Sequence, residues 1–389
     1  MIYDFDFVVD RRGSGSYKWD SAQHPDVIPL WVADMDFPTA PCVIEALHER
    51  VKHGIFGYTL VDDAYYERLT HWFASRHAYT FSREAVIYTS GVVPAISAII
   101  KALAKPGSGV VVQTPVYNCF FSSIRNNGCR IVEAPLRRVD IDSKTFTYEM
   151  DFDALERATA PADVNLMLLC NPHNPAGRAW RPDELARVAD ICRHNGVTVV
   201  SDEIHCELTM PGHRYTPYAT IDPSAIVCVS PSKAFNTAGL QIANIVTPDA
   251  ETRAAIDRAI NINEVCDVNP FGVVALKASY TDEGAEWLRQ LIEYLEANYR
   301  FLCQVIAERL PGCKVTMLEA TYLPWIDIKP LGIKAAEIEH RLVEEASVWV
   351  NSGDMYGTEG YIRINVACPR SVLAEGLARM CNYLSPLLK

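Results

Sequence analysis

The run Ser230-Pro231-Ser232-Lys233 follows the apolar stretch Ala225-Ile226-Val227-Cys228-Val229. Two hydroxyls beside a lysine with apolar neighbours suit an amine that is neutral part of the time. Such an amine can form a Schiff base with a carbonyl, and the hydroxyls can hold a phosphate beside it. A surface lysine in a polar loop fits the same four residues, so other stretches must decide. Ser90-Gly91-Val92-Val93-Pro94 reads as a strand-to-helix turn whose free amides could cradle a phosphate. Tyr117 either packs into the core or stacks on a flat heteroaromatic ring. Asn171-Pro172-His173-Asn174-Pro175-Ala176-Gly177 holds two Asn-Pro steps, which favour an extended turn with an amide side chain in a cleft. In Ser201-Asp202-Glu203-Ile204-His205, Asp202 could hold a protonated ring nitrogen and His205 could reach an adjacent hydroxyl. The alternative there is a metal on Asp202, Glu203 and His205, though no second His or Cys cluster supports it. Arg363 lies inside an apolar strand and needs a partner. That partner is either a substrate carboxylate or a structural acid.

Elements must bring these residues together. Between residues 86 and 247, short apolar runs alternate with helical periodicity. Strands are expected at 86–89, 109–113, 165–170, 198–201 and 226–229, and helices at 93–104 and 182–194. Continuous apolar strands separated by helices predict an α/β fold with a mostly parallel sheet covered on both faces. Ligands sit beyond the carboxyl ends of such strands, which is where the stretches above fall. Helices at 41–52 and 62–76 precede the sheet, around a break containing Gly54 and Gly57. A helix over 283–310, about 40 Å long by its rise per residue, is long enough to lead into a second domain. Strands near 314–317, 322–328 and 361–366 and a helix at 371–384 make an α+β end. The expected division is a large domain over 50–285 and a smaller one from 1–49 with 286–389.

The 389 residues carry a net charge of -12, which argues against a general nucleic-acid backbone binder. Apolar runs are too short to span a bilayer, and the acidic start lacks the basic, apolar pattern of a secretory signal. A cytoplasmic protein with no membrane partner is expected. The twelve cysteines include no C-x-x-C pair, so neither a zinc cluster nor a disulfide framework is indicated, and most should be small buried hydrophobes.

In their order along the chain, the glycine turn, tyrosine, Asn-Pro-x-Asn-Pro-x-Gly, Asp-x-x-His, Ser-x-Ser-Lys and late arginine resemble the fold-type I pyridoxal-phosphate enzymes, the aminotransferase superfamily. The resemblance spans nearly the whole chain. It implies pyridoxal 5'-phosphate as cofactor, bound covalently by Lys233, with Asp202 on the pyridine nitrogen and Tyr117 stacked on the ring. It implies Asn174 and His205 at the ring hydroxyl. Gly91, Val92, Val93, Ser230 and Ser232 would surround the phosphate, and Arg363 would take the substrate carboxylate, with Ala33 nearby. Trp31-Val32-Ala33-Asp34-Met35-Asp36-Phe37, Gly54-Ile55-Phe56-Gly57-Tyr58-Thr59 and Ile364-Asn365-Val366-Ala367-Cys368-Pro369-Arg370 look like the bacterial cystathionine β-lyase branch, the cysteine-S-conjugate β-lyases. Two positions depart from the wider aminotransferase pattern: Gln241 stands where an arginine often meets the phosphate, and His205 where aspartate aminotransferases carry a tyrosine. The expected activity is β-elimination at a C–S bond, giving a thiol, pyruvate and ammonia. An aminotransferase is the second reading, and a regulatory protein that binds the cofactor and a protein partner is the third. The resemblance also implies a homodimer with shared sites, in which Tyr58 reaches the neighbour's phosphate and substrate.

Overall fold

The computed structural model describes residues 2–22, 24–262 and 267–388. Cys266 lies outside them. A seven-stranded sheet runs in the order Val86–Thr89, Ala243–Val246, Ile226–Val229, Thr198–Asp202, Val164–Cys170, Gly109–Val112, Arg130–Glu133. All neighbours pair parallel except Ala243–Val246, which is antiparallel to both of its partners. Gly109–Val112 and Ile226–Val229 are buried along their length, and Val164–Cys170 and Thr198–Asp202 at all but one residue each, as a sheet covered on both faces requires. Pro182–His194 forms as the periodicity predicts, and the helix expected at 93–104 spans Val92–Leu103. The run 243–246 is too short and too similar to its neighbours for sequence to show its direction.

A second sheet of six strands is ordered Asn351–Ser352, Tyr361–Arg363, Trp325–Asp327, Lys314–Thr316, Thr145–Glu149, Arg137–Asp140. Its last two strands come from the middle of the chain: Arg137–Asp140 is the edge and pairs with Thr145–Glu149, which pairs in turn with a strand from the end, Thr145 opposite Val315 and Phe146 opposite Thr316. That long-range pairing leaves no local trace in the sequence. The helix Asp282–Arg309 buries Trp287, Leu288, Leu291, Leu295, Leu302 and Ile306 along one face. Thr281 caps its start by accepting from the Gly284 amide. The strands expected over 322–328 and 361–366 are shorter, at Trp325–Asp327 and Tyr361–Arg363. Tyr322 and Asn365, just outside them, instead donate to carbonyls of residues 32–34. Ahead of the helix Pro41–His53, Tyr17–Asp20 is a helical turn, and Ile28–Pro29 pairs parallel with Val348–Trp349.

Candidate active site

Five strands of the large sheet deliver a side chain or amide to one cavity, each just past its carboxyl end. The cavity encloses about 190 Å³, and its wall includes Gly91, Val92, Val93, Tyr117, Asn174, Asp202, His205, Ser232 and Lys233. Ala33 enters from the N-terminal segment, and Gln241 and Cys170 also face it. Ten of the thirteen residues expected at the site therefore share one space, and Arg363, Ser230 and Tyr58 are not on its wall. Ser230 stands behind the wall, donating to the Ile242 carbonyl at 2.7 Å and lying 2.9 Å from the Ser232 hydroxyl. Of the two Asn-Pro steps only Asn174 faces the cavity. The Asn171 amide turns away to the Thr216 carbonyl (2.9 Å) and Glu203 (3.2 Å). Tyr58 is 98 % exposed, outside this cavity.

Lys233 Nζ donates to the Ala33 carbonyl at 2.6 Å, and that oxygen also accepts from the Tyr322 hydroxyl at 3.0 Å. Withdrawal from water, reinforced by the positive charge of Arg363, lowers its pKa from 10.5 to about 8. Asp202 is 3 % exposed, accepts from the Ile204 amide at 3.1 Å, and has no cation within salt-bridge distance among the described residues. Burial raises its pKa from 3.8 to about 7. Burial, with Lys233 and Arg363 nearby, pushes His205 down to about 3, so its ring is neutral, and its Nδ1 lacks a partner. Arg363 donates to Asn174 Oδ1 (3.2 Å) and the Trp31 carbonyl (2.9 Å), lies over the Tyr356 ring, and keeps an unpartnered Nε. No carboxylate of the described residues pairs with it, so the structural-acid alternative for Arg363 is not what the fold provides. Nor do the described residues hold any group of three or more His, Cys, Asp or Glu placed to bind a metal ion.

A match to the family "Aminotransferase class I and II" runs over residues 25–380. This chain belongs to that family. Among curated relatives, cystathionine β-lyase PatB of Bacillus subtilis is 38 % identical, with 98 % of this chain and all of the relative aligned. Cystalysin from Treponema denticola, a structure that contains a pyridoxal 5'-phosphate cofactor, superposes with a TM-score of 0.94 at 33 % identity over the full length of both chains. The pyridoxal-phosphate-bound C–S lyase of Staphylococcus hominis matches with a TM-score of 0.89 at 31 % identity, over 98 % of this chain and 99 % of that one.

The cavity fits pyridoxal 5'-phosphate on its own terms. A buried carboxylate without a cation, Asp202, suits a protonated ring nitrogen, and a depressed lysine suits an aldehyde. The helix Val92–Leu103 begins at Gly91 with no side-chain cap, leaving amides at its positive end for an anion. The unpartnered His205 Nδ1 suits a ring hydroxyl.

The residues sequence reasoning passed over are those that hold the others. Tyr322 shares the Ala33 carbonyl with Lys233. Asn365 donates to the Val32 and Asp34 carbonyls at 2.6 Å each, and Asn236 bonds both faces of Met35. A signal existed for Asn365: a polar side chain in the apolar run Ile362–Val366 is buried and must be bonded somewhere.

Proposed function

We propose that the protein is a pyridoxal-phosphate-dependent C–S β-lyase that cleaves cystathionine or related cysteine S-conjugates to a thiol, pyruvate and ammonia. The observation that carries the reading is the convergence of Lys233 and Asp202 on one cavity, with Arg363 bonded to Asn174 in its wall, in a chain that aligns end to end with a cystathionine β-lyase. Pyridoxal 5'-phosphate, when bound, supplies an electron sink for carbanion chemistry at the α-carbon of an amino acid. The chain's residues do the rest. Arg363, held by Asn174 and the Trp31 carbonyl, presents its guanidinium to the substrate carboxylate. Lys233, with a pKa near 8, is neutral in a fraction on the order of one tenth at pH 7. In that form Nζ accepts the α-proton. With the cofactor bound, Asp202 would hold negative charge against its ring nitrogen, and the neutral His205 would offer a hydrogen bond without adding a cation. The thiolate leaves with the electrons of the Cβ–S bond, and one water is consumed overall in reaching pyruvate and ammonia.

Amino-group transfer would use the same residues, so the site alone does not separate the two chemistries. Cystathionine given to the holoenzyme without any 2-oxo acid should yield pyruvate and thiol in equal amounts. No pyruvate and no thiol from cystathionine, with an amino acid formed only from an added oxo acid, would overturn the lyase reading.

The reading extends to a homodimer with shared sites. Val51, Ile55, Phe56, Tyr58 and Leu60 are each more than half exposed along one stretch, a density of apolar surface that a lone chain rarely leaves open. Cytoplasmic location agrees with the eleven described cysteines, all of them free.

A further inference from the structure

The backbone from Trp31 to Phe37 carries both cations of the site. The Trp31 carbonyl accepts from Arg363 Nη2 at 2.9 Å, and the Ala33 carbonyl accepts from Lys233 Nζ at 2.6 Å. Two residues of backbone thus set the distance between the carboxylate-binding group and the base. Asn365 and Asn236 hold the intervening and following carbonyls from the inner side.

Residues 11–20 grip the same segment from the other side. Lys18 is fully buried, with Nζ 2.9 Å from Asp36 Oδ2 and 3.2 Å from the Asp34 carbonyl. Arg11 closes the cluster from outside, at 2.6 Å from Asp36 Oδ1 and 2.8 Å from Asp34 Oδ2. Trp19 Nε1 donates to Asp36 Oδ1 at 2.7 Å, and the Trp31 indole donates to the Lys18 carbonyl at 3.2 Å. Removing an ammonium and a carboxylate from water costs about as much as their attraction returns, so stability alone is a weak reason for such a knot. What it supplies is a fixed geometry for the two carbonyls beneath it.

We propose that Lys18 and Arg11 are positioning residues, which lock the 31–37 backbone so that the Trp31 and Ala33 carbonyls hold Arg363 and Lys233 in register for one amino acid. The proposal rests on the roles given to Arg363 and Lys233 above.

Its test is Lys18→Met in the holoenzyme, with L-cystathionine as substrate. A loosened Arg363 should raise KM about tenfold. A loosened Ala33 carbonyl removes an acceptor that favours the protonated nitrogen of Lys233. The pH midpoint of the bound cofactor's visible absorbance should therefore move down by about half a unit or more. Lys18→Arg, which keeps the charge, should restore most of both. Arg11→Gln should shift both quantities the same way by less, and it carries the test if Lys18→Met does not fold, since the Arg11 side chain is 22 % exposed. A folded variant with a lower melting temperature but wild-type KM and midpoint would show that the knot is only structural. Borohydride reduction and peptide mapping of the wild type separate the two levels. A pyridoxyl label off Lys233 removes the site reading itself. A label on Lys233 beside unchanged variants removes only the role of the knot.

Discussion

Asp202 and Lys233 are moved by the same physical cause in opposite directions on the pH scale. Burial penalises charge, so the carboxyl holds its proton longer and the ammonium loses its proton sooner. The consequence for the cofactor-free protein can be measured. The folded Asp202 stays protonated up to about pH 7, whereas the unfolded one ionises near 3.8. The folded state therefore binds more protons across that window, so its stability is full below the lower value and falls as pH rises through the upper one. Lys233 acts above this window, between about 8 and 10.5, where the unfolded chain binds more protons and stability grows with pH. Urea unfolding at pH 5 and 7.5 should show a loss of a few kcal/mol in the wild type from Asp202. In Asp202→Asn that loss should be largely absent. An equal slope in both proteins would mean that Asp202 is charged in the empty fold. Adding pyridoxal 5'-phosphate should flatten the wild-type slope as well, because a cationic ring nitrogen lets Asp202 ionise.

At the scale of elements, the turn after Ile226–Val229 does two jobs. It presents Lys233 to the cavity, and three residues later it presents Asn236 to the N-terminal segment. Asn236 sits at φ 53°, in the left-handed region that asparagine tolerates better than most side chains. Its amide accepts from the Met35 amide (2.9 Å) and donates to the Met35 (3.0 Å) and Phe37 (2.8 Å) carbonyls. Asn236→Ala loses these bonds and adds backbone strain, and should destabilise by about 2–4 kcal/mol. Asn236→Gly loses the bonds without the strain and should recover about 1 kcal/mol of that. Chemical denaturation of the pair tests this. If alanine and glycine are equally costly, the left-handed backbone contributes nothing.

At the scale of the whole molecule, the exposed stretch around Tyr58 asks for a partner, and the cavity has a glutamine, Gln241, where a cation often meets the phosphate. A two-fold dimer would let each Tyr58 hydroxyl serve the other chain's site. Subunit mixing tests this. Suppose Lys233→Ala and Tyr58→Ala are each badly impaired as homodimers. A heterodimer of the two then holds one whole site, with Lys233 from one chain and Tyr58 from the other. Re-annealed mixtures should recover up to about half of wild-type activity per heterodimer. Confirmed exchange of subunits with no recovery would place Tyr58 in service of its own chain or of no site.

The apolar strands and the motifs after them were legible because both are local. A buried parallel strand needs a continuous apolar run, and a turn at its carboxyl end needs glycine, proline, asparagine or serine, whatever the distant chain does. Thus Lys233, Asp202, Asn174 and Gly91 could be named from sequence, with the sheet that carries them. Other features depended on residues far apart in the chain. Thr145–Glu149 found its place through Lys314–Thr316, which lies more than 160 residues away. The direction of Ala243–Val246 depended on which strands lay beside it. Nothing local in the sequence marks Lys18, and only burial against Asp36 made it part of the site's frame. Side-chain chemistry and strand ends are written locally. Which carbonyl receives an amine, and which charge is taken out of water, is decided only when the tertiary fold brings distant segments together.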